Sequence, residues 1–150
     1  MFSVEEVPEF KVACMRRVGP YGAGNQEQME RLKGWAAASG LLRDGSVVLG
    51  IAQDDPGVVA PEDCRYDVCL VVPRDTGIGG AGIEEAWLPG GRYAVRTVAH
   101  TAEALARAWA GLLPALADAG FRFDSARPII ERFAPRMVEN HLCEICVPVT

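Results

Sequence analysis

Arg65-Tyr66-Asp67-Val68-Cys69-Leu70-Val71-Val72 and Leu142-Cys143-Glu144-Ile145-Cys146-Val147-Pro148-Val149 are the two stretches that decide the fold. Both are short, largely apolar runs of strand length. Asp67-Val68-Cys69 in the first matches Glu144-Ile145-Cys146 in the second. Working outward, the same elements precede each run. A strand over 11–18 opens the first half and one over 92–99 the second, with Lys11-Val12-Ala13 aligned on Arg92-Tyr93-Ala94. A helix follows each. Met29, Leu32, Trp35 and Ala36 mark the apolar stripe of 25–39; Leu105, Trp109, Leu112, Leu113 and Leu116 mark that of 102–119. Gly40 then Leu41 closes the first helix and Gly120 then Phe121 the second, the order a Schellman motif wants. Strands over 46–51 and 127–133 complete the two units.

These matches recur in one order at an offset of about 80 residues, so the chain reads as a duplication. Half-repeats of about 10–73 and 84–150 are joined by a glycine-rich connector, 74–83. Each half is strand, helix, strand, strand. Two such βαββ units fit an α+β fold: one antiparallel sheet, both helices on one face and a cleft at the pseudo-two-fold seam. Residues 84–87 are expected to add a short strand. Pro114 is expected to kink or break the second helix.

Composition narrows the function. A chain of 150 residues with 49% hydrophobic content and 23% charge suits one folded domain, not a disordered segment. A net charge of −5 disfavours direct nucleic-acid binding. Residues 1–10 alternate acids and apolars and lack the pattern of a signal peptide. No run approaches the ~20 apolar residues of a membrane helix. A cytoplasmic protein with no membrane partner is the expectation.

The five cysteines, Cys14, Cys64, Cys69, Cys143 and Cys146, are expected to be reduced core thiols. Cys143 and Cys146 stand three apart on a strand, hence on opposite faces, and cannot close on one ion. His100 and His141 have no nucleophile at motif spacing. No phosphate-cradling or dinucleotide motif is present, and no cofactor or metal is expected.

The chain resembles the GyrI-like effector-binding family over nearly its whole length. That family includes the stand-alone DNA gyrase inhibitor SbmC and the ligand domains of AraC-type and multidrug-responsive regulators. The resemblance rests on Arg17-Val18-Gly19-Pro20-Tyr21, Leu32 to Trp35, Asp54-Asp55-Pro56 and Cys64-Arg65-Tyr66-Asp67-Val68. It continues in Leu88-Pro89-Gly90-Gly91-Arg92-Tyr93-Ala94-Val95 and in Glu144-Ile145-Cys146-Val147-Pro148-Val149. It implies a tandem SHS2-like fold whose cleft has aromatic walls and an acid that meets cationic ligands. About ten residues before the first strand are too few for a helix-turn-helix, so a stand-alone member is expected.

Glu144 is the leading candidate for that acid, because an apolar strand carries it and a buried carboxylate needs a partner. The plainer alternative is an exposed glutamate on an edge strand. Glu131 corresponds to an acid often seen in the family. Phe133, two residues on, shares its face. Asp67 is the counterpart of Glu144, although Arg65 on the same face offers it a plain ion pair. Tyr66 points the other way and is set aside from an Asp67 pocket.

Trp35 and Trp109 lie on core-facing stripes, where packing under the sheet is the plainer role. At a cleft mouth each would add cation–π contact worth about 0.5–2 kcal/mol. Trp87, near the seam loops, and Tyr21, at the helix entrance, are further wall candidates. Three functions follow: binding of an amphipathic or cationic small molecule, for sequestration or sensing; a protein-interaction role with DNA gyrase or a regulator; and hydrolysis of cyclopropane-bearing toxins. The last needs a carboxylate to activate water or a Tyr–Glu pair to move a proton.

Overall fold

A computed structural model describes residues 1–22, 24–80 and 82–150; Ala23, and Ala81 of the connector, lie outside the described residues. The first half runs β1 (Ser3–Val7), β2 (Phe10–Val18), α1 (Asn25–Ala38), β3 (Val48–Ala52) and β4 (Arg65–Val72). The second runs β5 (Glu84–Leu88), β6 (Gly91–Ala99), α2 (Ala102–Ala110), α3 (Leu112–Asp118), β7 (Ile130–Phe133), α4 (Pro135–Glu139) and β8 (Leu142–Pro148).

The eight strands form one sheet in the order β1-β6-β8-β7-β3-β4-β2-β5. Every pairing is antiparallel. The order is symmetric about its centre: β7 answers β3, β8 answers β4, β6 answers β2 and β1 answers β5. The seam between the halves is therefore the β3–β7 pair, with Val48 opposite Phe133 and Gly50 opposite Glu131.

Strand alternation sorts the side chains. One face packs under the helices: Leu32 and Ala36 of α1 meet Val68, Leu70, Phe133 and Cys143. On the same face Ala108, Leu112 and Leu116 of α2 and α3 meet Ala94, Ile145 and Val147. The other face carries Val12, Leu49, Ile51, Cys69, Tyr93, Val95, Ile130 and Cys146 in one cluster. That cluster joins β2 to β6, which lie in opposite halves, because the sheet curls into a half-barrel.

Helix ends follow local chemistry. Leu41 N–H bonds Ala36 O at 2.8 Å and Phe121 N–H bonds Leu116 O at 3.1 Å, the long bonds of two Schellman motifs. Gly40 at φ 71° and Gly120 at φ 87° occupy the left-handed positions these require. Thr101 Oγ1 caps α2 by accepting from Ala104 N–H at 3.1 Å.

Three expectations are corrected. Residues before the expected first strand form β1, which pairs with β6 rather than with its neighbour β2. Its acids are accommodated because Glu5 faces Arg132 across the sheet. The second helix breaks at Gly111 and not at Pro114, which falls in the first turn of α3, where a missing N–H breaks no helical bond. The cysteines are not all free: Cys14 and Cys69, directly opposed on β2 and β4 with Cα atoms 4.2 Å apart, are joined as a disulfide. Pairing across the ladder brings together two thiols that are 55 residues apart in sequence.

Candidate functional site

The tetrapeptide Ile130-Glu131-Arg132-Phe133 crosses the seam on β7. Alternation turns Ile130 and Arg132 to the face away from the helices, and Glu131 and Phe133 toward them. Glu131 meets two donors there. Tyr66 O–H donates to Oε1 at 2.9 Å and the Trp109 indole Nε1–H donates to Oε2 at 3.1 Å. Both donors are neutral. Among the described residues no ion pair reaches Glu131.

Tyr66 comes from β4, so its ring must cross β3 to reach β7. Gly50 lies under that crossing. The Tyr66 phenol is buried, and burial, followed by the charge of Glu131, pushes its pKa far above the ordinary value. It therefore stays protonated and donating. Tyr21 packs edge-on against Tyr66, centroids 6.0 Å apart. Its hydroxyl accepts from Asp54 N–H at 3.0 Å and donates to Arg65 O at 2.8 Å. Asp54 is fixed in turn by Arg65, whose hydrogen bonds hold the carboxyl at about 2.

Phe133 is buried beside this group and its ring lies 5.3 Å from that of His100. Trp35 is half-buried against the α1 cluster and makes no hydrogen bond to the acid. Cys143 lies on the same face; burial, with the charges of Glu131 and Glu144, pushes its thiol up to about 11, which favours the protonated form. Cys146 points to the other face.

Glu144 and Asp67 stand elsewhere. Both face away from the helices and both are neutralised by an arginine directly opposite on the next strand. Arg132 Nε–H donates to Glu144 Oε1 at 2.9 Å, and its other end binds Glu5 at 2.6 Å. Burial alone would lower the Arg132 pKa; the hydrogen bonds to Glu144 and Glu5 hold it well above ordinary. Asp67 takes a two-pronged contact from Arg16, at 2.8 and 2.9 Å, and one from Gln53 at 3.0 Å. The ion pair expected between Asp67 and Arg65 is not made, because Arg65 turns to Asp54.

Glu5, Arg132 and Glu144 line an open groove of about 650 Å³ with Asp44, Met137 and Glu139. That groove is on the far side of the sheet from Glu131. Trp87 is on the edge strand β5, with the Arg74 guanidinium 4.7 Å from its ring centre.

The structure thus gathers Glu131, Trp109, Phe133 and Tyr21 of the expected residues, with Trp35 on the same helix-covered face. It separates Glu144, Asp67 and Trp87 from them. It adds Tyr66, which the sequence places on the face opposite Asp67 and which was therefore set aside from an Asp67 pocket. The available signal was Gly50, a glycine inside an otherwise bulky strand. What the group offers chemically is a fixed, half-buried carboxylate with aromatic neighbours and, among the described residues, no counter-cation.

The family model for the GyrI-like small molecule binding domain matches residues 1–150. The SPbeta prophage-derived protein YosT of Bacillus subtilis (strain 168) is 40% identical over 148 residues, covering 98% of this chain and 97% of YosT. DNA gyrase inhibitor 2 of Dickeya dadantii (strain 3937) is 33% identical over 140 residues, covering 91% of this chain and 82% of the inhibitor.

Three solved structures share the fold at low identity. EcmrR in its DNA complex aligns with a TM-score of 0.77 at 16% identity, over 99% of this chain but only 57% of the EcmrR chain. A hydrolase from Listeria innocua aligns at 0.66 and 11%, over 99% of this chain and 91% of its own. SAV2435 bound to tetraphenylphosphonium aligns at 0.56 and 13%, over 100% and 94%.

Proposed function

The chain belongs to the GyrI-like small molecule binding domain family, and from that premise we propose that its helix-side site binds an amphipathic organic cation against Glu131. One observation carries this reading: Glu131 is partly withdrawn from water, holds one neutral donor on each oxygen, and has no cationic partner among the described residues. A carboxylate in that state has charge left to satisfy, and a ligand cation satisfies it. Half-buried Trp109 offers π surface to such a ligand, and the buried rings of Tyr66 and Phe133 back the site from inside. That SAV2435 holds tetraphenylphosphonium on the same fold makes this ion the natural probe. Binding would serve sequestration or sensing.

The test is a tetraphenylphosphonium titration of wild type, Glu131→Gln and Glu144→Gln. Glu131→Gln is expected to weaken binding at least about tenfold, the share of one charge-assisted contact. Glu144→Gln is expected to leave it within about twofold, since Arg132 already neutralises that acid. A wild-type Kd above millimolar, or Glu131→Gln binding as well as wild type, overturns the reading.

The Tyr66–Glu131 hydrogen bond favours one second reading, hydrolysis of a strained electrophile. Glu131 would take a proton from water as the water oxygen bonds to the strained carbon; the strained bond breaks towards the leaving carbon or heteroatom, which takes the Tyr66 proton, and Glu131 then returns its proton to the Tyr66 oxygen. Turnover of a cyclopropane-bearing alkylating probe that disappears in both Glu131→Gln and Tyr66→Phe would support it; no wild-type turnover would remove it. The likeness to a gyrase inhibitor is tested separately, by a supercoiling assay with the purified chain.

A further inference from the structure

Gly50 sits inside β3 between two bulky apolar residues, Leu49 and Ile51, and is buried. A glycine in a strand interior weakens the strand, because it has no side chain to pack and the most backbone freedom to lose. Its backbone does not call for glycine: φ at Gly50 lies outside the left-handed region. The explanation is space. A Cβ at this position would stand 2.2 Å from the Tyr66 hydroxyl oxygen, 3.1 Å from Tyr66 Cζ and 3.2 Å from Glu131 Oε1.

The register shows how this arises. Gly50 is opposite Glu131 on β7 and opposite Val68 on β4, whereas Tyr66 is opposite Ala52. β4 and β7 are two strand spacings apart, about 9–10 Å. The Tyr66 ring therefore lies diagonally across β3, from above Ala52 to above Gly50, and reaches the acid only over the bare backbone of Gly50.

We propose that Gly50 is the positioning residue of the helix-side site: its missing side chain is the passage through which Tyr66 of one half holds Glu131 of the other. This rests on the binding reading above for its functional meaning, but its structural core is testable without any ligand. A methyl group at 50 would drive the phenol off Oε1, leaving Glu131 with Trp109 alone.

The experiment compares wild type, Gly50→Ala, Tyr66→Phe and the double variant by thermal unfolding and by tetraphenylphosphonium titration. Gly50→Ala alone is expected to lower the midpoint by about 5–10 °C. In the Tyr66→Phe background, where no hydroxyl stands in the way, the same substitution is expected to lower it by less than half as much. In the titration Gly50→Ala should weaken the probe as much as Tyr66→Phe does, and the double variant no more than either. That non-additivity separates positioning from general damage.

Should Gly50→Ala fail to fold while the double variant folds, the proposal stands. An equal loss in both backgrounds, or failure of both to fold, overturns it, because Gly50 would then serve the backbone alone. A wild type that binds no probe defeats the binding reading and leaves the stability coupling to decide this one.

Discussion

Trp109 Nε1 donates to Glu131 Oε2 at 3.1 Å, joining α2 to the central strand of the sheet. The bond turns a residue of a core-facing stripe into part of the site: the indole body packs on the cluster of Leu105 and Ala108 while its polar edge meets the acid. Trp109→Phe keeps most of the packing and removes the donor. The Glu131 oxygen left without a partner is expected to reduce stability by about 1–2 kcal/mol in urea unfolding. Affinity for tetraphenylphosphonium is expected to fall by several-fold as the carboxylate loses its fixed orientation. Unchanged affinity together with unchanged stability would detach Trp109 from the site.

On the reverse face, the chain Glu5–Arg132–Glu144 ties the edge strand β1 to β7 and β8. Arg132 is mostly buried, so loss of one carboxylate leaves its charge under-compensated. Glu144→Gln is expected to reduce stability by about 1–2 kcal/mol, and Glu5→Gln by less, because the Glu5 side chain is 41% exposed against 16% for Glu144. Urea midpoints of the two variants give the order directly. The reverse order would mean that β1 is held chiefly by its outer acid.

The Cys14–Cys69 bridge closes a span of 55 residues that contains α1 and β3. Chain entropy gives such a closure up to about 4 kcal/mol, and bridges of this kind commonly deliver about 2–4 kcal/mol. Dithiothreitol is expected to lower the urea midpoint of wild type and to leave that of Cys14→Ser unmoved. Tetraphenylphosphonium binding should be little changed by reduction, because both sulfurs are on the face away from Glu131. A midpoint indifferent to reductant would show that the two thiols are not bridged in the purified protein.

The two-fold order of the elements was legible because the helix punctuation repeats where other side chains differ. Gly40-Leu41 and Gly120-Phe121 mark equivalent helix ends, and Asp67 and Glu144 mark equivalent strand positions. What alternation cannot supply is which face of each strand turns to the helices. Glu131 and Glu144 are both acids on strands, and only the register, Arg132 opposite Glu144, shows that Glu144 is neutralised. Tyr66 and Asp67 do lie on opposite faces of β4, and alternation alone does not tell which of the two faces holds the candidate site. β1 escaped because its partner strand, β6, is about 90 residues away, and local pattern carries no trace of so distant a pairing.

Acid should reveal the Asp54–Arg65 pair that stands behind Tyr21. Hydrogen bonds from the Arg65 guanidinium and N–H hold the Asp54 carboxyl at about 2, below its ordinary 3.8. A folded-state pKa lowered in this way contributes stability that is complete above the unfolded value and is lost as pH falls through the folded one. The window is therefore between about pH 4 and pH 2. Asp124, lowered by Arg127, adds to the slope over the acid range, so Asp54→Asn should remove only part of it.

The expected result is a wild type more stable than Asp54→Asn at pH 6, with the two urea midpoints converging as pH approaches 2. Because the Asp54 N–H donates to the Tyr21 hydroxyl oxygen, the variant should also loosen the ring that packs on Tyr66 and weaken tetraphenylphosphonium modestly at pH 7. A gap between wild type and variant that stays constant from pH 6 to pH 2 would show that the pair does not hold Asp54 ionised, and that its contribution is packing alone.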